Sequence, residues 1–102
     1  MTSYSERSDQ LLSELLDRLD NSVGDVADVD LLNEILTVTL DDGRVIIINK
    51  NNPLREIWVS APQSGAAHFR EEGSDWICTK TGTNLNNFLT LELQALLNRS
   101  LV

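Results

Sequence analysis

Six carboxylates in the first third of the chain have the types and spacing to bind a cation. Glu14, Asp17 and Asp20 recur at i, i+3 and i+6, and Asp25, Asp28 and Asp30 follow at once. The first three climb one side of any helix that contains them. Asp28 and Asp30, two apart, point the same way on a strand. Oxygen donors of this kind suit hard or borderline cations such as iron, Mn²⁺ or Ca²⁺. No His or Cys stands among them. The expected site is therefore open, weak, exchangeable and filled largely by water. An EF-hand loop is excluded, because no stretch combines alternating acids with Gly at position six and Glu at position twelve. A solvated acidic face that serves only solubility is the plainer alternative. Clustered like charge destabilises a fold, which favours a purpose for the cluster.

Groups for covalent or acid–base chemistry are scarce. His68 is the single histidine and Cys78 the single cysteine. His68 reads as a sheet-surface residue and Cys78, between Ile77 and Thr79, as a strand thiol. No phosphate loop, dinucleotide fingerprint, paired-cysteine motif or nucleophile elbow occurs. A binding or regulatory protein is expected rather than an enzyme.

The chain that must position these residues has 102 amino acids, of which 41% are hydrophobic. That length and composition predict one domain, 1–102, with one packed core. The net charge is −8, and it is uneven. Residues 1–42 hold eleven acids against two bases, whereas residues 43–102 are nearly balanced. Such a surface argues against nucleic acid, whose binding requires Lys and Arg to displace counterions, and against anionic membranes. Metal cations and basic protein surfaces remain. The longest apolar run, Val45–Ile48, is four residues. A membrane-spanning helix needs about 20, so none is expected. The first residues lack a basic start followed by an apolar stretch, so a secretory leader is not expected. A lone cysteine allows no internal disulfide, and a reducing, cytoplasmic setting is expected.

Leu11, Leu12, Leu15, Leu16 and Leu19 mark a first helix, with Ser5 or Ser8 as its cap and a stop near Asn21–Gly24. Asp17 and Asp20, late in that helix, oppose its dipole. Alternation predicts strands from Asp28, over Ile35–Leu40, Arg44–Asn49, Glu56–Ser60, Ala66–Arg70 and Asp75–Lys80. Leu32-Asn33-Glu34 should turn or bulge, and Asp41-Asp42-Gly43 should close a hairpin. Leu36, Val38 and Leu40 should share one face, as should Ile57 and Val59. That places Trp58 toward water as a candidate docking anchor, while Trp76 reads as core. A second helix follows Thr83 or Asn84, with Leu85, Phe88, Leu89, Leu93, Leu96 and Leu97 inward and Glu92 off the stripe. The order of elements predicts an α+β fold, a two-layer sandwich with both helices on one face of an antiparallel sheet.

The segment Val45–Phe69, VIIINKNNPLREIWVSAPQSGAAHF, is followed by Asp75-Trp76-Ile77-Cys78, Gly82 and the leucine-rich last helix. In order and spacing these features resemble the frataxin family, in particular its bacterial form. The resemblance covers nearly the whole chain and is weakest before residue 25. It implies two helices on an antiparallel sheet. It implies weak, exchangeable binding of Fe²⁺ and Fe³⁺ at positions matching Glu14, Asp17, Asp20, Asp25, Asp28 and Asp30, with other divalent cations open. It implies a role in iron–sulfur cluster assembly, with a cysteine desulfurase and a scaffold protein as partners. The contact surface would carry Asn49, Lys50, Trp58 and Ser60. Two positions depart from the form common in eukaryotic members, with Glu56 in place of Gln and His68 in place of Arg. A monomer is expected, with iron-driven oligomers open. Two rival functions also stay open: a ferroxidase, and a metal-independent acidic adaptor of the desulfurase.

Overall fold

In the computed structural model, residues 3–98 are described; the two ends of the expected 1–102 domain lie outside them. Helix α1 runs Tyr4–Val23. Six strands follow, β1 (Ala27–Leu32), β2 (Ile35–Leu40), β3 (Val45–Asn51), β4 (Glu56–Ala61), β5 (Gly65–Glu72) and β6 (Asp75–Cys78), and helix α2 (Leu85–Leu97) comes last. The strands form one antiparallel sheet in the order of the chain, β1 to β6. Short turns between consecutive strands permit only neighbour pairing, which makes this meander. The two helices cover one face, giving the expected α+β sandwich.

Alternation sets the faces. Leu36, Val38, Ile46, Ile48, Ile57, Val59 and Phe69 point toward the helices and are buried. Leu12, Leu15, Leu19 and Val23 meet them from α1, and Leu85, Leu89, Leu93 and Leu96 from α2. Each such side chain contributes about 1.5–3 kcal/mol relative to exposure. Trp76 is buried as expected, with its ring edge-on to Tyr4 at 6.1 Å.

Three local expectations are corrected. The cap of α1 is Ser3, not Ser5 or Ser8. Its Oγ accepts from Glu6 N at 3.2 Å, the Ser-x-x-Glu arrangement of a capping box. Ser8 is buried instead, and its Oγ donates to Ser5 O at 3.1 Å. Strand β6 stops at Cys78 rather than Lys80, because the chain folds back: Cys78 N donates to Thr83 O at 2.8 Å and Gly82 N to Cys78 O at 3.0 Å. Of the two expected caps of α2, Asn84 is the one that serves, accepting from Asn87 N at 2.8 Å.

The third correction concerns Glu92, which is buried within the α2 stripe. Its carboxylate accepts from the backbone N–H of Gln63 at 2.8 Å and of Ser64 at 3.0 Å, and from the Ser64 hydroxyl. A charge can be buried there because three donors of the β4–β5 turn replace water.

Candidate functional site: an acidic face and a sheet-face cluster

The apolar stripe of α1 turns Glu14, Asp17 and Asp20 to solvent, and all three are exposed. The chain then passes from α1 to β1 through Gly24. A methyl group on Gly24 would lie 2.3 Å from the carbonyl oxygen of Asp20, so only glycine fits this close return. Asp25 follows, exposed. On β1, Ala27, Val29 and Leu31 turn inward, leaving Asp28 and Asp30 exposed opposite Thr39 and Thr37 of β2. The two aspartates thus share one direction, as expected, on the sheet face away from the helices. Asp20, beside the Gly24 return, and Asp25, Asp28 and Asp30 follow the chain along the α1–β1 edge, with Asp17 one turn earlier on α1. Glu14 lies apart from them, lining the groove that α1 forms with Trp76 of β6 and Asn86 of α2, which corrects the expectation that all six acids share one site.

Among the described residues, the side chains of Asp17, Asp20, Asp28 and Asp30 make no hydrogen bond or ion pair, and that of Glu14 accepts only from the Gln10 amide at 3.0 Å. Among the described residues, no three His, Cys, Asp or Glu side chains converge to hold one ion. A cation on this edge would therefore meet one or two carboxylates and complete its shell with water. The exposed carboxylates of Asp17, Asp20, Asp28 and Asp30 leave a negative potential that concentrates counter-ions.

Lys50 departs from the expectation that it shares a surface with Asn49, Trp58 and Ser60. It pairs with Ile57, so alternation turns it to the helix side, where 3% of its side chain is exposed. Its ammonium donates to Asp9 of α1 at 2.7 Å and lies 3.7 Å from Glu34 of the β1–β2 turn. Burial works to lower the Lys50 pKa, but Asp9 and Glu34 outweigh it and hold the group above its ordinary value. Lys50 is thus a tie between the helix and the acidic end of the sheet. Counting by twos from the buried Ile48 reveals this side, once the strand is extended beyond Asn49.

On the other face of the sheet, Trp58 is half-buried rather than fully exposed, because the His68 ring stacks on it at 4.0 Å with 6° between planes. Glu56 lies beneath them, buried, accepting from Trp58 Nε1 at 2.9 Å and from Arg70 Nη2 at 2.7 Å. His68 Nδ1 stands 4.0 Å from the same carboxylate. The Trp58 hydrogen bond first, and then Arg70, holds the Glu56 pKa below its ordinary value against the opposing pull of burial. The residues at the two departures from the eukaryotic pattern, Glu56 and His68, therefore meet around one tryptophan. Arg70 completes the cluster, and sequence reasoning had not singled it out. Its signal is the Glu56↔Arg70 pairing across β4 and β5.

One cross-strand row on this face runs Leu32, Ile35, Asn49, Trp58, His68, from β1 to β5. Leu32 and Ile35 are among the few large apolar side chains left exposed. Ser60, exposed, lies beside the row. Cys78 belongs to the opposite face: it pairs with Phe69 and is buried, so it forms no dyad with His68.

Fold and surfaces together define a protein of the two-layer α+β sandwich class. It has an open acidic edge that attracts cations and an adjoining sheet face with a preformed aromatic cluster. Comparison with known proteins gives the class its family. The chain matches the frataxin-like domain family over residues 1–99. It is 40% identical over 86 residues to the iron-sulfur cluster assembly protein CyaY of Vibrio cholerae, covering 81% of this chain and 82% of the relative. The CyaY of Vibrio vulnificus is 32% identical over 93 residues, covering 91% and 88%. Among solved structures, trimeric frataxin from the yeast Saccharomyces cerevisiae, complexed with ferrous iron, superposes with a TM-score of 0.80 at 30% identity, covering 91% of this chain and 87% of that one. Frataxin from Psychromonas ingrahamii shares the fold, with a TM-score of 0.78 at 21% identity over 98% and 96%. The chain belongs to the frataxin family, and within it is similar to the bacterial CyaY members.

Proposed function

We propose that this protein is a non-catalytic, iron-binding regulator of iron–sulfur cluster assembly in the cytoplasm. The α1–β1 edge gathers Fe²⁺ or Fe³⁺ as exchangeable cargo and docks on a basic patch of the cysteine desulfurase. The row through Asn49 and Trp58, with Ser60 beside it, receives the scaffold protein. The observation that carries this reading is the set Asp17, Asp20, Asp28 and Asp30, whose side chains have no partner among the described residues, on a chain of the frataxin family. Relatives named for iron–sulfur cluster assembly, and a yeast relative solved with ferrous iron, support it. The ferroxidase reading is less favoured, because two irons bridged for oxygen chemistry require carboxylates held in place, usually with a His.

The metal-independent adaptor is the second reading. It is favoured by the lack of convergence among three potential ligands in the described residues. A desulfurase assay with the scaffold present separates the two. The proposed role requires that added Fe²⁺ change the effect of this protein on cysteine turnover, and that reversing charge at Asp17, Asp20 and Asp28 abolish the change. An effect indifferent to Fe²⁺ and chelator would establish the adaptor.

A further inference from the structure

A concave surface at the amino end of α1 adjoins the tryptophan cluster through Arg70 but lies apart from the acidic edge. Tyr4 and Arg7 of α1, Leu54 and Arg55 of the β3–β4 turn, and Arg70 and Glu71 of β5 line a cleft of about 810 Å³. Three of the eight basic residues of a chain with net charge −8 stand around it. Their commitments differ. Arg7 is held by both oxygens of Glu71, at 2.6 and 2.8 Å. Arg70 gives one nitrogen to Glu56 and stays 62% exposed. Among the described residues, the Arg55 guanidinium makes no hydrogen bond or ion pair.

The backbone at Arg55 is unusual. Its φ is 55°, in the left-handed region that strains a residue carrying a Cβ. The turn is fixed there by Leu54 N donating to Asn51 Oδ1 at 3.0 Å and by Arg55 N donating to Asn52 O at 3.2 Å. Glu34, with φ 64°, is strained in the same way, but its carboxylate reaches Lys50. Arg55 has no such contact among the described residues, and strain without one points outward, to a ligand. Beside it, Leu54 is 51% exposed.

We propose that this cleft docks an acidic peptide segment of a partner protein. One carboxylate lies on the free fork of Arg55, assisted by the open edge of Arg70, and an apolar side chain rests on Leu54. Guanidinium groups bind carboxylates through paired, charge-assisted hydrogen bonds. Leu54 favours a peptide over a free anion. The acidic remainder of the surface repels such a segment, so the cleft also fixes where it lands. A second copy of this chain is disfavoured as occupant by the shared net charge of −8. The proposal does not depend on iron or on the cluster-assembly role.

The test is a titration of ¹⁵N-labelled protein with the blocked peptide Glu-Leu-Glu-Asp. Amide shifts are expected at residues 3–7, 54–55 and 70–71, with no response to the Lys-Leu-Lys-Lys analogue. Arg55→Gly should weaken binding about tenfold or more while raising the melting temperature, because glycine relieves the left-handed strain. Arg55→Asn, which also tolerates this backbone, is the second variant and should behave alike. Absent or scattered shifts would overturn the proposal, as would undiminished binding in both variants. Inorganic phosphate moving the same amides as strongly as the peptide would make this a free-anion site instead. Concentration-dependent shifts without peptide would make it a contact between copies.

Discussion

On α1 and β1, the carboxylates of Asp17, Asp20, Asp28 and Asp30 stand in water without a partner among the described residues. On β4 and β5, Glu56 is buried and fully engaged by Trp58 and Arg70. Both regions are built around carboxylates, yet the charge does opposite work. Exposed, unpaired carboxylates act at a distance, tolerate many geometries and are screened by salt. A buried, bonded carboxylate acts by holding its neighbours, here an indole and a guanidinium, in one arrangement. The first region is suited to cargo that must leave, the second to a surface that must match a partner in shape.

The largest effect should come from the buried carboxylate. Glu56→Ala leaves Trp58 Nε1 and Arg70 without their acceptor and should cost about 2–3 kcal/mol in urea unfolding. The same group gives the fold an acid dependence. Its folded pKa lies below the ordinary 4.5. Its stabilisation is therefore complete above that value and is lost as pH falls through it toward the folded pKa. Glu56→Gln should remove this part of the acid sensitivity. An unchanged stability profile would show that the cluster is not organised by Glu56.

Trp58→Ala should weaken scaffold binding by about 2 kcal/mol, near thirtyfold, in a calorimetric titration. Iron affinity should not move, because Trp58 touches none of the ridge acids. A parallel loss of iron would mean that the two regions are one site.

Replacing Asp17, Asp20 and Asp28 with Lys should weaken Fe²⁺ binding about tenfold or more, roughly 1.4 kcal/mol. It should also raise stability by roughly 0.5–1 kcal/mol through relief of repulsion. Thermal melts and an anaerobic iron titration read the two effects together. A destabilised variant with intact iron binding would reverse the assignment of charge to function.

The smallest effect is the most diagnostic of mechanism. Raising salt from about 0.1 M to about 1 M shortens the screening length from about 10 Å to about 3 Å. Docking of the desulfurase on the ridge should weaken severalfold across that range, and scaffold binding at Trp58 much less. Equal salt dependence would place both partners on charge.

The sheet was legible because each strand alternates against a single core. Leu36, Val38 and Leu40, and Ile57 and Val59, declare their side without reference to other strands. The acidic edge was legible for a related reason: Glu14, Asp17 and Asp20 sit where the leucine stripe is not. The parts that escaped depend on contacts distant in sequence. Glu92 reads as a surface acid until the N–H groups of Gln63 and Ser64 arrive to receive it. Lys50 reads as a surface base until Asp9, 41 positions away, meets it. Arg70 joins the tryptophan cluster only through the register of β4 on β5. The Ser3 cap, by contrast, was within reach, since Glu6 stands three residues on.

The most direct test of the central claim is an anaerobic Fe²⁺ titration of ¹⁵N-labelled protein followed by amide NMR. Selective broadening of signals from residues 14–30, reversed by a chelator and absent around Trp58 and His68, is the expected result. Broadening scattered over the chain, or none at all, would contradict a metal role for the acidic edge and leave it a docking surface alone.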